Sequence, residues 1–450
     1  MNSSNRTLPE QETLRVIPFH GLRYNRDLGP DLSRIASPPY DIISPRQQLL
    51  YHQKHPNNAI NLDFGLTFPG DNDGENRYTR AAGLLRKWLD EKILLPESVP
   101  AVYLLREEYQ VPGGGAAVRE GLIAAIRLSD FREGKILPHE ETAAGPKQDR
   151  LRLIEATQAN LSPIFCLYSD PADAIVRAAA TGSGNPDAAL IDEAGTRHSL
   201  WVLKDGAADA ACRALSGKTL LIADGHHRYE TMLAYRDRRR AQEHPGSERP
   251  YDFTMAYLTN MDNDSRWILP VHRFVSGLAA ETLAGFKVSL GRNFEIKDVE
   301  GSGAGRQAKM VQMMARLDGE RNAFGLYLAD SGSYHVLVAR RPRPLLPESD
   351  GRSAAFRSLD IAVLDNMILA GWLGIAPGGA GAWVEYVERT DAAFKKINKK
   401  GDSFQIGLFV NPVSMTEIKA VAAAGEKMPP KSTYFYPKPL TGLVFRSLNI

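Results

Sequence analysis

Residues 218–231 read "KTLLIADGHHRYET", and this stretch decides the fold. Its apolar residues predict a buried strand that ends at Asp224, and Gly225 permits a tight turn because glycine tolerates positive φ. A helix is predicted to begin near His226 and to run through "HRYETMLAYRDRRRAQEH". In open α/β sheets ligands gather at the carboxyl ends of strands, so this junction is the first place to look for a site.

The polar residues of this junction are candidates for chemistry. Asp224 could act as a general base or as a metal-bridging carboxylate, while His226, His227 and Arg228 could hold phosphate oxygens or orient a substrate. The alternative is a capped helix start, in which Asp224 serves as the N-cap and Arg228 pairs with a surface carboxylate. No zinc site is predicted, because adjacent histidines on a helix point about 100° apart and no cysteine pair lies nearby.

The remainder of the chain indicates a mixed sheet. Residues 101–128 and 188–203 each read as a hairpin, whereas other strands alternate with helices. We therefore predict the α/β (mixed α+β) class, with several hairpins in the sheet. A chain of 450 residues is too long for one ordinary core. We predict a domain over 15–275 that carries the main motifs, and a smaller α+β domain over 276–450 with a docked tail.

Composition argues against several classes of protein. The net charge is +2, and the dense basic run 236–244 is predicted to be a solvated helix face, so DNA binding is not expected. Two cysteines form no disulfide framework. No apolar run approaches the roughly 20 residues that span a bilayer, and the first residues lack an apolar signal core. We expect a cytoplasmic protein that is not in a membrane.

A second charged segment, "LPHEETAAGPKQDRL" (137–151), holds further candidates. Lys147 and Arg150 lie three residues apart near the start of a predicted helix, where cations oppose the helix dipole. An anion bound between them would explain this placement. His139 and Glu140 precede them, and a solvated charged loop is the alternative interpretation.

Two more segments carry candidate ligands. In "ASPPYDIIS" (36–44), two prolines stiffen the backbone before Asp41, which either positions a substrate or completes the fold. "LPVHRFV" (269–275) offers His272 and Arg273, which either join the same anionic pocket or form part of a core.

The tail segment "KMPPKSTYFYPK" (427–438) combines lysines, prolines and aromatic residues. Lys431 is the candidate phosphate ligand, together with Ser432, Thr433 and Lys438. The aromatic residues 434–436 could pack a base or another subunit, which makes a homodimer one expectation. A docked structural tail is the alternative.

Six motifs in one order resemble a known family. They are "ASPPYDIIS", "HEETAAGPKQDRL", "NLSPIFCLYSD", "IADGHHRYET", "LPVHRFV" and "MPPKSTYFYPKPLTGLV". Together they resemble domain of unknown function family 1015, found in bacteria and archaea, over about residues 15–446. The name of that family implies no settled activity.

The turn "ADGHHRYE" alone is similar to the Asp-Gly-His-x-Arg turn of the ParB and sulfiredoxin superfamily, which includes free serine kinases. The similarity implies a ParB/sulfiredoxin-like N-terminal domain in which Asp224 activates a substrate hydroxyl. It also implies that His226, His227 and Arg228 hold the phosphates of ATP or ADP, with Mg²⁺. Those kinases use an earlier glutamate, for which Glu140 or Glu141 is the candidate.

These observations favour a phosphotransferase that acts on a small hydroxylated metabolite, such as free serine, with a nucleotide donor. Its partners would be the metabolite and the nucleotide. One alternative is a hydrolase of a phosphorylated ligand, with Asp224 and His226 or His227 as acid and base. The other is a nucleotide-binding, ParB-like regulator.

Overall fold

The computed structural model describes residues 13–29, 31–141, 144–180, 184–263, 268–375, 384–399, 401 and 403–449. The strands of these residues are, in chain order, β1 (Val16–Ile17), β2 (Gly21–Tyr24), β3 (Leu94–Pro96), β4 (Ala101–Gln110), β5 (Ala116–Arg127), β6 (Ile136–Pro138), β7 (Ala159–Asn160), β8 (Ile164–Tyr168), β9 (Ala188–Ile191), β10 (Arg197–Lys204), β11 (Leu220–Asp224), β12 (Phe253–Asn260), β13 (Ile268–Leu269), β14 (Val271–Val275), β15 (Phe294–Asp298), β16 (Ala323–Leu328), β17 (Ser333–Ala339), β18 (Val384–Glu388), β19 (Ile406–Phe409), β20 (Tyr434–Phe435) and β21 (Phe445–Ser447).

The α-helices of the same residues are α1 (Leu32–Ile35), α2 (Pro45–Lys54), α3 (Ile60–Asp63), α4 (Arg77–Asp90), α5 (Ala144–Thr157), α6 (Ala174–Ala180), α7 (Asp205–Leu215), α8 (His226–Glu243), α9 (Ala280–Asn293), α10 (Gly303–Ala315), α11 (Ala354–Ser358), α12 (Asp360–Val363), α13 (Thr390–Asn398) and α14 (Met415–Ala423). A π-helical stretch, Leu364–Trp372, follows α12, and short 3-10 turns include Tyr40–Ile42. None of these helices is both long and apolar enough to cross a bilayer.

The largest sheet has nine strands and mixed direction. Its order is β6-β11-β8-β12-β5-β4-β10-β9, and β1 pairs with β5. The pairs β11–β6 and β12–β8 are parallel, while the remaining pairs are antiparallel. Both predicted hairpins, β4–β5 and β9–β10, are present. The prediction of a mixed α+β fold is therefore confirmed.

Side chains of the central strands β8 and β12 alternate between two apolar clusters, one on each face of the sheet. Phe165 and Tyr257 pack into one apolar cluster, whereas their chain neighbours Cys166 and Leu258 pack into another. Successive side chains of a strand point to opposite faces, so both faces of β8 and β12 remove apolar area from water. This burial holds the strand β11, which carries Asp224, in a rigid setting.

A second sheet has six strands in the order β15-β17-β16-β19-β14-β18, all antiparallel. It takes its strands from residues 271–409, and its first strand, β14, lies before the predicted boundary at residue 275. The division of the chain into domains stays a prediction.

The C-terminal tail pairs with strands from earlier parts of the chain. Strand β20 pairs with β13, and β21 lies between β2 and β7 in a four-stranded sheet. Two buried arginines hold tail carbonyls. Arg119 from β5 donates to the carbonyls of Tyr436 and Pro437, and Arg273 from β14 donates to the carbonyl of Lys431 at 3.1 Å.

The ion pair of Arg119 is itself buried in the nine-stranded sheet. Its guanidinium donates to the Glu107 carboxylate at 2.8 Å, and Glu107 also accepts from the Tyr257 hydroxyl at 2.9 Å. Glu107 is fully shielded from solvent. Removing one partner of such a pair leaves an uncompensated buried charge, which costs more than the pair contributes.

We expect Arg119→Ala to lower the free energy of unfolding by about 3–5 kcal/mol, because Glu107 loses its counter-ion and two tail carbonyls lose their donor. Arg106→Ala is the matched control on the same hairpin. Arg106 pairs with Glu120, and both side chains are partly exposed to solvent, so its loss should cost about 0–1 kcal/mol. Urea unfolding curves of both variants measure the difference, and equal losses would contradict this account.

Candidate functional site

The end of β11 turns sharply into α8 at Gly225. Its φ of 89° is in the left-handed region, and a Cβ there would lie 2.9 Å from the Arg228 guanidinium. Any other residue would thus be strained and would displace Arg228. Gly225 is also the N-cap, with no side-chain capping bond. Asp224 is therefore not the helix cap, and its carboxylate is available for other partners.

Lys438 from the tail lies between two carboxylates. Its ammonium is 2.6 Å from Asp224 Oδ1 and also contacts Asp41 Oδ2. Burial by itself lowers the pKa of Lys438, but the two carboxylates raise it above its ordinary value. Burial likewise raises the pKa of Asp41, yet Lys438 and Arg228 bring it well below its usual range. The lysine is thus a permanent cation at this point.

Arg228, in the first turn of α8, is the third charged partner in this cluster. It donates to Asp224 Oδ2 at 2.7 Å, to Ser162 Oγ at 3.0 Å and to the Pro163 carbonyl at 2.6 Å. Asp224 and Asp41 raise its pKa despite burial. Asp224 is consequently fixed by two charge-assisted contacts, one from Arg228 of helix α8 and one from Lys438 of the tail.

The second cluster joins His139 and Glu140 to the same tail. Thr433 donates from its backbone and its hydroxyl to Glu140 Oε1, at 2.9 and 2.8 Å, and His139 Nε2 lies 3.3 Å from that oxygen. Burial raises the pKa of Glu140, but His139, His226 and Thr433 together bring it to about 2. Glu140 is therefore an anion that anchors the tail.

The two histidines of the turn differ in their surroundings. His226 is buried, and its Nε2 accepts from the backbone N–H of His139 at 3.3 Å. Burial, reinforced by the charge of His139, brings the pKa of His226 well below its usual value. Burial also lowers the pKa of His227, which is half-buried. His226 is thus a neutral packing residue, whereas His227 remains partly accessible.

Helices α5 and α8 run parallel, with both N-termini at this site. Thr231 contacts the Lys147 carbonyl, and two turns further along Arg238 pairs with Glu155. Lys147 itself pairs with Glu230. Because the N-terminus of a helix carries partial positive charge, two such ends side by side attract an anion.

Lys431 adds charge to this region. Its side chain is exposed, and it lies close enough to Asp41 and His227 for its charge to lower the pKa of both groups, after the larger effects of burial and of nearer charges. Of the two candidate lysines of the tail, Lys438 makes the direct contacts with Asp224 and Lys431 contributes from the rim.

Arg150 makes its described contacts with carboxylates of the protein, so they do not support an anion shared with Lys147. It is 3% exposed, and its guanidinium bonds with Asp63 and Asp149 and lies 3.9 Å from the centre of the Tyr40 ring. The physical reason is the pair of carboxylates, Asp63 and Asp149, which hold the guanidinium beside the half-buried Tyr40 ring. Arg150 therefore supports the 3-10 turn that carries Asp41.

The pair His272 and Arg273 makes its described contacts within the six-stranded sheet, its flanking segments and the tail. His272 Nε2 bonds with Thr390 at 3.0 Å, and burial brings its pKa to about 3. Arg273 contacts Asp365 at 3.4 Å besides its tail carbonyls. These contacts favour the core interpretation of the pair.

A pocket of about 380 Å³ opens beside Lys438. Its walls come from four separate segments of the chain: 33–54, 190–196, 388–389 and 434–440. This size suits a small metabolite. Sequence reasoning did not find this pocket, because its walls are brought together only by the docking of the tail.

The Mg²⁺ expected from the resemblance does not fit a protein-built site here. Among the described residues, no group of three or more histidine, cysteine or acidic side chains could hold a metal ion. The position between Asp41 and Asp224, where a divalent ion would be shared, holds the Lys438 ammonium. The site is therefore one in which lysine and arginine supply the positive charge.

We expect Lys438→Met to lower the free energy of unfolding by about 2 kcal/mol at pH 7, because the half-buried Asp224 and the more exposed Asp41 lose their shared, buried cation. Asp41, whose folded pKa is depressed, contributes this stability above its unfolded pKa of about 4 and loses it as pH falls. The difference from the wild type should therefore shrink below about pH 4.

Lys431→Met is the matched control for that substitution. Its side chain is exposed and makes no described ion pair, so its effect should stay within about 0.5 kcal/mol at any pH. Denaturant unfolding of both variants at pH 7 and pH 3 measures these values. A Lys438→Met difference of equal size at the two pH values would contradict the ion-pair account.

Comparison with solved structures gives remote likenesses. Free serine kinase in complex with AMP matches with 13% identity and a TM-score of 0.32, over 69% of this chain and 86% of that one. SbnI from Staphylococcus aureus matches with 12% identity and a TM-score of 0.32, over 71% and 85%. A conserved hypothetical protein from Pyrococcus furiosus matches with 14% identity and a TM-score of 0.30, over 69% and 89%. At these scores the matches carry no inference about activity.

No curated protein matches the chain. The family model described as protein of unknown function (DUF1015) matches residues 16–362, and this range contains Asp41, the His139–Glu140 pair and the Asp224 turn. The expected family is thereby confirmed. The chain belongs to the DUF1015 family of proteins of unknown function.

Proposed function

We propose that the protein is a phosphotransferase, which moves a phosphoryl group from a nucleotide to a hydroxyl group of a small metabolite. The arrangement around Asp224 carries this proposal. A carboxylate at the end of a buried strand is fixed by Lys438 and Arg228, beside two parallel helix N-termini and a pocket of metabolite size. These are the parts that phosphoryl transfer requires of a protein.

In the proposed reaction Asp224 orients the acceptor hydroxyl and takes its proton. The hydroxyl oxygen forms a bond to the terminal phosphorus of the nucleotide as the bond from that phosphorus to the leaving nucleotide oxygen breaks. Lys438 and Arg228 hold Asp224 in one orientation, which keeps the base within reach of the acceptor. The negative charge on the transferred phosphoryl group would be stabilised by Lys438 and Arg228, which are already positioned beside Asp224.

The donor phosphates would be held by Lys431, His227 and the first turn of α8, and Lys147 would exchange its partner Glu230 for a phosphate. A nucleoside di- or triphosphate such as ADP or ATP matches the positive character of this rim. Mg²⁺ is assigned no step, since Lys438 stands between the two carboxylates. Asp41 positions Lys438, and Glu140 holds Thr433 in the tail, so both act on Asp224 through other residues.

The alternative functions have less support from the geometry. A hydrolase that uses His226 as acid or base would need an accessible ring, but His226 is buried and its Nε2 accepts from the His139 backbone N–H. His227 is half-buried, so burial does not argue against a hydrolase that uses His227. A DNA-binding regulator would need free basic side chains on α8. Its arginines pair instead with carboxylates: Arg236 with Asp237, Arg238 with Glu155, Arg239 with Glu243 and Arg240 with Asp252.

The test is a screen for phosphorylated products. The protein is incubated with ATP, ADP or CTP and with pooled hydroxylated metabolites including free serine, and products are detected by mass spectrometry. Asp224→Asn should reduce turnover by about 100-fold or more, because the base is lost. Asp237→Asn is the control, an exposed aspartate on the same helix outside the site, and should leave turnover unchanged.

Circular dichroism and unfolding curves of the Asp224→Asn variant show whether it is folded when turnover is measured. Asp224→Glu keeps the carboxylate at a shifted position and should retain part of the activity. Full turnover by a folded Asp224→Asn variant would overturn the proposal, as would the absence of any phosphorylated product from the wild type.

A further inference from the structure

The pocket beside Lys438 contains a buried hydroxyl group without a partner. Ser37 is 2% exposed and lines the pocket. Its backbone pairs with Thr441, but no group among the described residues forms a hydrogen bond with its Oγ. Buried hydroxyl groups are rarely left in this state, because the lost hydration is not replaced. A ligand that offers a hydrogen bond at this point would satisfy Ser37.

The same pocket contains a carboxylate without a counter-ion. Glu388 ends strand β18 and is half-buried, and no ion pair or hydrogen bond of its side chain occurs within the described parts of the chain. Burial raises the pKa of the neighbouring Tyr434, and the negative charge of Glu388 adds to that effect. Glu388 therefore faces the tyrosine side of the pocket.

Most other charged groups of the pocket wall have partners. Lys54 pairs with Glu193 at 2.8 Å, Arg389 with Asp391 at 2.9 Å, and Lys438 with Asp41 and Asp224. Asp192 accepts from the backbone N–H groups of Ala194 and Thr196 at 2.9 Å and lies 3.0 Å from His198. Glu388 is thus the acidic group of the described lining without a hydrogen bond or ion pair. Its sign attracts an ammonium group and repels the phosphates of a nucleotide.

Tyrosine rings complete the chemistry of the pocket. Tyr434 and Tyr436 line it, with ring centres 6.4 Å apart, and the Arg389 guanidinium lies 5.5 Å from the centre of the Tyr436 ring. Each ring already has a cationic neighbour within the protein: Arg389 for Tyr436, and for Tyr434 the Lys438 ammonium, 5.7 Å from the ring centre. The rings therefore form one wall of the pocket, and Glu388 and Ser37 decide the kind of ligand group.

From these groups we infer that this pocket binds the acceptor of the reaction, and that the acceptor is a small hydroxy-amine. Its ammonium group binds Glu388, and one of its polar groups bonds with Ser37. A hydroxyl group then lies toward Lys438 and the Asp224 carboxylate. The assignment of the pocket to the acceptor rests on the proposed phosphotransferase function, whereas the binding of a hydroxy-amine there does not.

The test compares two probes that differ in one group. Serinol, 2-amino-1,3-propanediol, has the shape of glycerol with an ammonium in place of the central hydroxyl. Isothermal titration of the full chain should show serinol binding at least ten times more tightly than glycerol. Charge-assisted hydrogen bonds contribute roughly 1.5–3 kcal/mol, which corresponds to this factor or more.

Three variants localise the binding. Glu388→Gln should weaken serinol binding by about tenfold or more and leave glycerol binding unchanged, since only the charge is removed. Ser37→Ala should weaken both probes by a few fold. Glu385→Gln is the matched control, because Glu385 lies on the same strand but pairs with Lys396 outside the pocket, and it should bind serinol like the wild type.

Two results would overturn the inference: equal affinities for serinol and glycerol, or serinol binding that Glu388→Gln leaves intact. The binding assay contains no nucleotide, so it separates this inference from the proposed function. Glu388-dependent serinol binding by a protein that phosphorylates nothing would support the site and reject the phosphotransferase. Phosphorylation of an acceptor without an amine would support the phosphotransferase and reject the hydroxy-amine.

Discussion

A single buried ammonium holds the candidate site together. Lys438 joins Asp41 on a 3-10 turn near the front of the chain to Asp224 at the end of the strand β11. Asp224 is half-buried and Asp41 is more exposed, and each would repel the other without the cation between them. The tail thus supplies the cation of the site, and Arg119 and Arg273 bind the carbonyls of that tail.

This arrangement explains why so many charges are buried in one part of the molecule. Each of the arginines Arg119, Arg150 and Arg228 pairs with a carboxylate and also donates to backbone carbonyls, which offsets part of the cost of desolvation. Such networks contribute little net stability compared with apolar packing, but they allow few alternative geometries. Apolar packing of the two sheets thus stabilises the fold, and the ionic network places the reactive groups.

The sequence predicted the local structure around Asp224 well, because that structure depends on short-range patterns. The strand, the glycine turn, the helix and both hairpins follow from residues that are near each other in the chain. The choice of Lys438 over Lys431 could not be predicted in this way. Lys431 has a left-handed φ of 60° and lends its carbonyl to Arg273, so partners far away in sequence decide which lysine points inward. The same holds for Arg150, since its partner Asp63 lies far away in the sequence.

The distribution of charge divides the site into two regions, and this division gives the proposed reaction its direction. On one side lie the helix N-termini, Lys147 and Lys431, which suit phosphates. On the other side lies the pocket with the uncompensated Glu388, which phosphates would avoid. Lys438 lies between the two regions, because it lines the pocket and also contacts Asp224. A donor and an acceptor sorted by charge in this manner would meet at the Asp224 carboxylate, where a proton acceptor is needed.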